Sequence, residues 1–317
     1  MISIQKECYH QIYFYAPMSS GKSTVINALI GESLLPTSNF ACTAKQMEIV
    51  INKRINSKKI YIDRRDGCTD IITNATMKDV EHCNGYECLG TRILIESNMV
   101  ADIITNKPIM FIDTPGMNYY ADDKHEKVTQ QSLANIQEAL IVYVLNVSQF
   151  GVEDDAKMLR TIADSTNNNK WIVVMNKADV LNRDTERVSD YIYYRIPKYL
   201  KEVGIDKYCV CSLSAEAALL FRRLMKGDSF SDAEADKLYN YYKYFSREDL
   251  CLGSNFYDNY SADTQQEYMV DGETYSFQQI CKALHNTGIH ELEYCISKAL
   301  FGTYKTKRIK TAKEKSI

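Results

Sequence analysis

The stretch Ala16–Thr24 reads A-P-M-S-S-G-K-S-T, and how it is read decides the fold. It follows a β-prone run, Gln11–Tyr15, and opens a helical run, Val25–Gly31. Strand, tight loop and helix in that order are the setting of a phosphate-binding loop. The backbone N–H groups of Ser19, Ser20, Gly21, Lys22 and Ser23 are expected to converge on one concavity, where a helix N-terminus adds partial positive charge. Lys22 is placed to bridge the β- and γ-phosphates of a nucleotide, and the Ser23 hydroxyl to ligate Mg2+, with Thr24 completing the nucleotide-binding run.

Two later motifs fall in the order such a domain needs. The run Pro108–Ile112 reads as a strand and leads into D-T-P-G, Asp113–Gly116. A carboxylate at the C-terminal edge of a buried strand suits Asp113 to stand behind Mg2+, and Gly116 could give its N–H to a γ-phosphate. The strand Trp171–Met175 then runs into N-K-A-D, Asn176–Asp179. Asp179 can accept two hydrogen bonds, from the guanine N1–H and 2-amino group. Adenine lacks that pattern, and the aliphatic stem of Lys177 can cover the base. A site built around such bonds can discriminate by roughly 10⁴–10⁵. After the next strand, Lys207–Ser212, come Ser214 and Ala215, placed to offer backbone N–H to the guanine O6.

Composition bounds the rest. The chain has 317 residues, 45% hydrophobic and 25% charged, which are globular values. A net charge of −3 argues against a general nucleic-acid binder. No apolar run approaches the ~20 residues of a membrane span, and Met1–Tyr9 lacks the apolar core of a signal peptide, so a cytoplasmic protein is expected. The ten cysteines read as reduced thiols. His82, Cys83 and Cys88 form the only loose metal-like cluster, and it lacks a second half. Cys209 and Cys211 share one face of a strand.

Between the motifs the pattern predicts an α/β chain. Helix Ser23–Leu29 should stop at Gly31, and Ser33–Lys45 reads as a loop. Gln46–Asn52 and Lys59–Arg64 suggest an antiparallel hairpin or edge pair. Thr69–Asn84 is polar, with a short helix at Met77–His82; Thr91–Glu96 reads as another strand. Helix Asp122–Glu138, strand Leu140–Asn146 and helix Glu153–Asp164 follow. A long amphipathic helix is expected over about Thr185–Val203. From Gly227 to Thr274 the chain is acidic and tyrosine-rich, helical at Asp232–Phe245 and loop-like over Cys251–Glu273. Tyr239, Tyr241, Tyr242, Tyr244 and Phe245 read as packing against the main domain rather than stacking bases. Helices Phe277–Leu284 and Ile289–Leu300 close the fold. The basic end, Tyr304–Ile317, reads as a solvated tail, with weak attraction to anionic lipid as the sharper alternative.

The wording S-S-G-K-S-T-V-I-N-A-L-I-G-E-S-L-L-P-T-S, Ser19–Ser38, resembles the opening of bacterial dynamin-like GTPases. A-C-T-A-K, D-T-P-G, N-K-A-D, S-L-S-A-E-A-A-L-L and T-G-I-H-E-L-E keep to that pattern. The resemblance covers roughly residues 11–302 and implies a dynamin-type G domain. That is a three-layer P-loop fold whose central sheet is mostly parallel, with an antiparallel edge strand and extra C-terminal helices. Its expected span is 1–302, with an insertion at about 227–274 and a tail at 303–317. By resemblance, Ser19 matches a loop serine that carries a monovalent cation, K+ or Na+. Thr43 matches a switch threonine that binds Mg2+ and holds the attacking water. The resemblance also implies dimers formed through the nucleotide face, and membrane work done through a helical stalk.

Three departures stand out. Ala16 replaces a glycine, Met18 stands where eukaryotic dynamins place a glutamine, and the chain ends where a stalk would begin. A truncated product, a stalk-bearing dynamin-like partner, or a protein that needs no stalk would each follow. The expectation is a Mg2+-dependent GTPase binding GTP and GDP, in which Ser19, Lys22, Thr43 and Gly116 serve hydrolysis. It is placed in the cytoplasm or peripherally at the inner face of the membrane. The rivals are a GTP-binding switch with little hydrolysis, a membrane-shaping mechanoprotein and an ATPase.

Overall fold

The computed structural model describes residues 8–37, 46–55, 57–85, 92–114, 139–149, 151, 153–165, 170–182, 184–247, 250–253 and 266–301. Thr43, Gly116, Cys88, the expected helix Asp122–Glu138 and the basic tail lie outside them.

Among the described residues nine strands form one sheet: β1 His10–Tyr15, β2 Met47–Ile51, β3 Lys59–Asp63, β4 Thr69–Thr73, β5 Arg92–Ser97, β6 Ile109–Asp113, β7 Leu140–Asn146, β8 Lys170–Asn176 and β9 Tyr208–Leu213. Their order is β4-β3-β5-β2-β6-β1-β7-β8-β9. From β6 to β9 all neighbours are parallel. Every residue of β6 and β7 is buried, as the continuous apolar runs I-M-F-I-D and L-I-V-Y-V-L-N require of strands covered on both faces. The helices that clothe the sheet make this a three-layer P-loop fold.

The expected antiparallel edge is present in β4, and antiparallel pairing reaches further into that half of the sheet. β2 runs antiparallel to β6 and parallel to β5, and β3 runs antiparallel to both β5 and β4. The expected hairpin of Gln46–Asn52 with Lys59–Arg64 does not form, because β5 lies between β2 and β3. β2 is buried at every position and takes a neighbour on each side. The hairpin partner of β3 is instead the polar run β4, closed by hydrogen bonds between Arg64 and both Cys68 and Gly67.

Helix α1, Lys22–Ile30, follows the loop and ends at Gly31. α2 is Met77–Asn84 and α3 Glu153–Ser165. The long helix expected over Thr185–Val203 begins only at Val188 and widens into a π turn at Tyr191–Arg195 before α4, Ile196–Glu202. Pro197 has no N–H to give the preceding turn, so the widened turn sits where a regular ladder would be broken. α5, Ala215–Lys226, packs on α1 and on α6, Asp232–Phe245. At the end of the stretch expected to be loop-like, β10 Glu267–Val270 pairs with β11 Glu273–Ser276, which runs on past it, as a separate hairpin. α7, Phe277–Asn286, and α8, Ile289–Phe301, follow where two helices are expected.

Buried Arg222 of α5 ties three helices together: it donates to the Ala28 carbonyl of α1 and pairs with Glu293 of α8. Cys209 and Cys211 of β9 do share a face, and Cys209 Sγ stands 2.7 Å from Cys295 Sγ of α8. Among the described residues the cysteines form no disulfide, and no three His, Cys, Asp or Glu side chains cluster as a metal site.

Candidate nucleotide-binding site

Because β1, β6, β8 and β9 are parallel, their C-terminal ends lie along one edge of the sheet, where ligands bind in open α/β folds. The segments that leave those ends are Ala16–Gly21, Asp113–Thr114, Asn176–Asp179 and Ser214–Ala215. The fold therefore gathers the motifs that the chain keeps far apart.

The loop after β1 curls tightly. Ser19 and Gly21 both take left-handed backbone, at φ 61° and 86°, and the Ser20 N–H bonds to the Pro17 carbonyl at 3.3 Å. A non-glycine residue held left-handed is a strained feature of the kind found at ligand clamps. Gly21 has a second constraint: a Cβ there would stand 2.4 Å from Asn176 Nδ2. Ala16, in contrast, is buried in the core and is not among the positive-φ residues, so its backbone has no need of a glycine.

Lys22, at the first turn of α1, is 7% exposed, and its ammonium pairs with the carboxylate of Asp113, which is 1% exposed. The two charged groups that would meet the phosphates and the metal thus face each other directly. The Thr114 hydroxyl donates to the Phe14 carbonyl at 2.6 Å, clamping the exit of β6 to the end of β1. Its place inside D-T-P-G is the only sequence signal for that role.

The loop after β8 is bound to the loop after β1 by two side chains. Asn176, 2% exposed, donates from Nδ2 to the Ser20 carbonyl at 2.9 Å and accepts the Ala215 N–H at 3.1 Å. Lys177, left-handed at φ 58°, donates from Nζ to the Ser19 carbonyl at 2.9 Å. Its stem is thereby stretched across the gap between the two loops.

Asp179 is half-buried. Burial pushes its carboxyl above the usual range and the nearby Glu216 charge adds to this, while the Ser214 hydroxyl, the Asp179 backbone and Lys177 pull it back. The two amides expected to face a base are engaged inside the fold. The Ser214 N–H donates to the Thr287 carbonyl at 2.9 Å, and the Ala215 N–H to Asn176. The Ser214 contact has a steric basis: Gly288 lets the α7–α8 turn sit against the end of β9, where a Cβ would fall 2.1 Å from the Ser212 carbonyl oxygen.

One further residue was not apparent from the sequence. Asn27 of α1 is fully buried; its Oδ1 accepts the N–H groups of Leu34 and Leu35, at 3.1 and 2.8 Å, and its Nδ2 donates to the Leu35 carbonyl. It fixes the root of the segment that runs on toward Thr43.

Ser23, beside Lys22, and Asp113, against the Lys22 ammonium, are hard oxygen donors of the kind Mg2+ takes, so the residues present fit that ion.

A sequence profile of the Dynamin family matches residues 12–178. The chain is 28% identical over 210 residues to Dynamin-like protein A of Bacillus subtilis, covering 64% of this chain and 16% of that protein. It is 24% identical to Dynamin-like protein 1 of Campylobacter jejuni, covering 71% of this chain and 35% of that protein. The chain therefore spans well under half the length of these two curated relatives. A solved structure of an oligomerised bacterial dynamin pair, described as a mechanism for long-range sensing and tethering of membranes, aligns with TM-score 0.46 and 20% identity. That alignment covers 73% of this chain and 37% of the other.

Proposed function

The chain belongs to the dynamin family, and from that premise we propose that it binds guanine nucleotide and hydrolyses GTP with Mg2+. The observation that carries the reading is the gathering of Lys22, Asp113 and Asn176–Asp179 at one sheet edge, with Asn176 and Lys177 tied to the loop of Ser19 and Ser20.

In this reading the loop amides from Ser19 to Ser23, with Thr24, hold the phosphates, and Lys22 leaves Asp113 to neutralise the β- and γ-oxygens. Ser23, Asp113 and Thr43 would hold Mg2+, which when bound neutralises charge on the β- and γ-phosphate oxygens. Asp179 reads the guanine edge, Lys177 covers the base, and Ser214 and Ala215 frame it. Thr43 and the Gly116 N–H orient water in line with the γ-phosphate. No general base is required, because positioning and charge stabilisation carry most of phosphoryl transfer. Ser19 would carry K+ or Na+, and pairing of two copies across the nucleotide face would order the site. Work at a membrane, peripheral contact through the basic tail and a stalk-bearing partner belong to the same proposal.

Single-turnover hydrolysis with Mg2+ and K+, in wild type and Lys22→Ala, tests the enzyme reading. Equal rates would refute it. A second reading, a switch that loads GTP and barely turns it over, draws on Met18, which is 44% exposed and whose thioether cannot orient water. Tight GTP binding with no Lys22-dependent turnover would favour it. Asp179→Asn should weaken the preference for GTP over ATP, and an unchanged preference would refute the guanine assignment.

A further inference from the structure

The tyrosine-rich helix α6 is outside every loop described above, yet one of its faces meets the base side of the site. Lys237, Tyr241 and Tyr244 recur at helical spacing and so share that face. The Tyr244 hydroxyl donates to the Asp179 carbonyl at 3.3 Å. The Tyr241 hydroxyl donates to Glu216 Oε2 at 3.0 Å, and Lys237 Nζ to Glu216 Oε1 at 2.6 Å. Glu216 stands in the first turn of α5, beside Ser214 and Ala215. Next along the helix, Phe245 is fully buried and meets Phe221 of α5 edge-on, with ring centroids 6.5 Å apart.

We propose that this face of α6 is a specificity brace: Tyr244 positions the backbone of Asp179, while Lys237 and Tyr241 occupy the neighbouring Glu216 carboxylate. The proposal rests on the reading of Asp179 as the guanine-recognising group. A carboxylate that accepts two donors from a base must be both ionised and fixed in direction. Asp179 is half-buried, with a second carboxylate in its neighbourhood, so both conditions are under pressure. An ammonium and a phenol on Glu216 draw that charge away from Asp179, and the phenol of Tyr244 holds the loop from behind. Lys237, Tyr241 and Tyr244 are positioning residues; none of them needs to touch the nucleotide.

The test compares GDP with inosine diphosphate, which lacks the 2-amino group and so gives up one of the two bonds to Asp179. Full-length wild type, Tyr244→Phe, Lys237→Met and Asp179→Ala are titrated with both nucleotides. Tyr244→Phe keeps the ring, and Lys237 is 57% exposed at its side chain, so both variants retain the packing. The expected result is a two- to tenfold fall in the GDP-to-IDP affinity ratio for Tyr244→Phe, on the order of one lost hydrogen bond, and a fall in the same direction for Lys237→Met. Equal weakening of both nucleotides, or no change, overturns the brace if Asp179→Ala collapses the ratio. An Asp179→Ala protein that keeps the wild-type ratio overturns the guanine assignment itself and the brace with it.

Discussion

Gly21→Ala is the substitution whose consequence can be worked most fully from the structure. Two penalties act at once. The backbone at Gly21 is left-handed, at φ 86°, where an L-residue with a Cβ costs about 1–2 kcal/mol. The new methyl would also stand 2.4 Å from Asn176 Nδ2, a contact that cannot persist. Asn176 cannot swing away freely, because its Oδ1 holds the Ala215 N–H at 3.1 Å while its Nδ2 holds the Ser20 carbonyl at 2.9 Å. The Ser20 carbonyl would lose its donor inside the fold, at a cost of about 1–3 kcal/mol. The expected total is about 2–5 kcal/mol of stability. The same displacement opens the loop that should hold the phosphates, so GDP affinity should fall with it. A double-mutant cycle isolates the second penalty. In an Asn176→Ala background the clash has no partner, so Gly21→Ala should retain only its backbone cost, with a coupling of about 1–3 kcal/mol. Urea unfolding of the four proteins, paired with GDP titration, measures this. Strict additivity of the two substitutions would refute the argument that Gly21 and Asn176 are packed against each other.

Two other outcomes are expected. Lys22→Ala removes the ammonium facing the buried Asp113 carboxylate, so nucleotide-free protein should lose about 3 kcal/mol; urea unfolding of Lys22→Ala as stable as wild type would deny that pairing. Asp155, on α3, accepts hydroxyl hydrogen bonds from Tyr143 and Tyr199, and burial raises its carboxyl above the ordinary range despite those bonds. The neutral carboxyl is thus the form the fold favours. Its stability contribution is present below the unfolded carboxylate pKa and is lost as pH rises through the raised folded value. Unfolding of wild type and Asp155→Asn across that range should show wild type losing ground as pH rises, and a gap that does not vary with pH would contradict it.

The parts that were legible in the sequence share a cause. β7 and α6 have the predicted bounds, and β1, α1 and β8 lie within a residue or two of them. Continuous apolar runs and a marked loop–helix boundary are signals carried by neighbouring residues. The misread parts turn on partners far away. β2 and β3 looked like a hairpin because a short polar run joins them, but β5 takes the place between. β10 and β11 are four residues each and bury only Tyr275, so their apolar alternation is faint. In the candidate site, Ala16–Thr24, Asp113 and Asn176–Asp179 each stand out as local motifs. The engagement of the Ser214 and Ala215 amides, the clamp from Thr114 to Phe14 and the contact from Tyr244 to Asp179 do not.

From its residues alone this chain shows the pattern expected of a phosphate loop, a carboxylate at the end of a later strand and the pattern expected of a base-reading motif, because each is a short pattern set by local backbone and side-chain chemistry. Tertiary structure decided how they meet: which amides are already spent within the fold, that Lys22 faces Asp113, and that a tyrosine-rich helix backs the loop of Asp179. Those contacts join residues distant in sequence, and parallel pairing of the strands brings most of them to one edge, where packing admits only certain pairs.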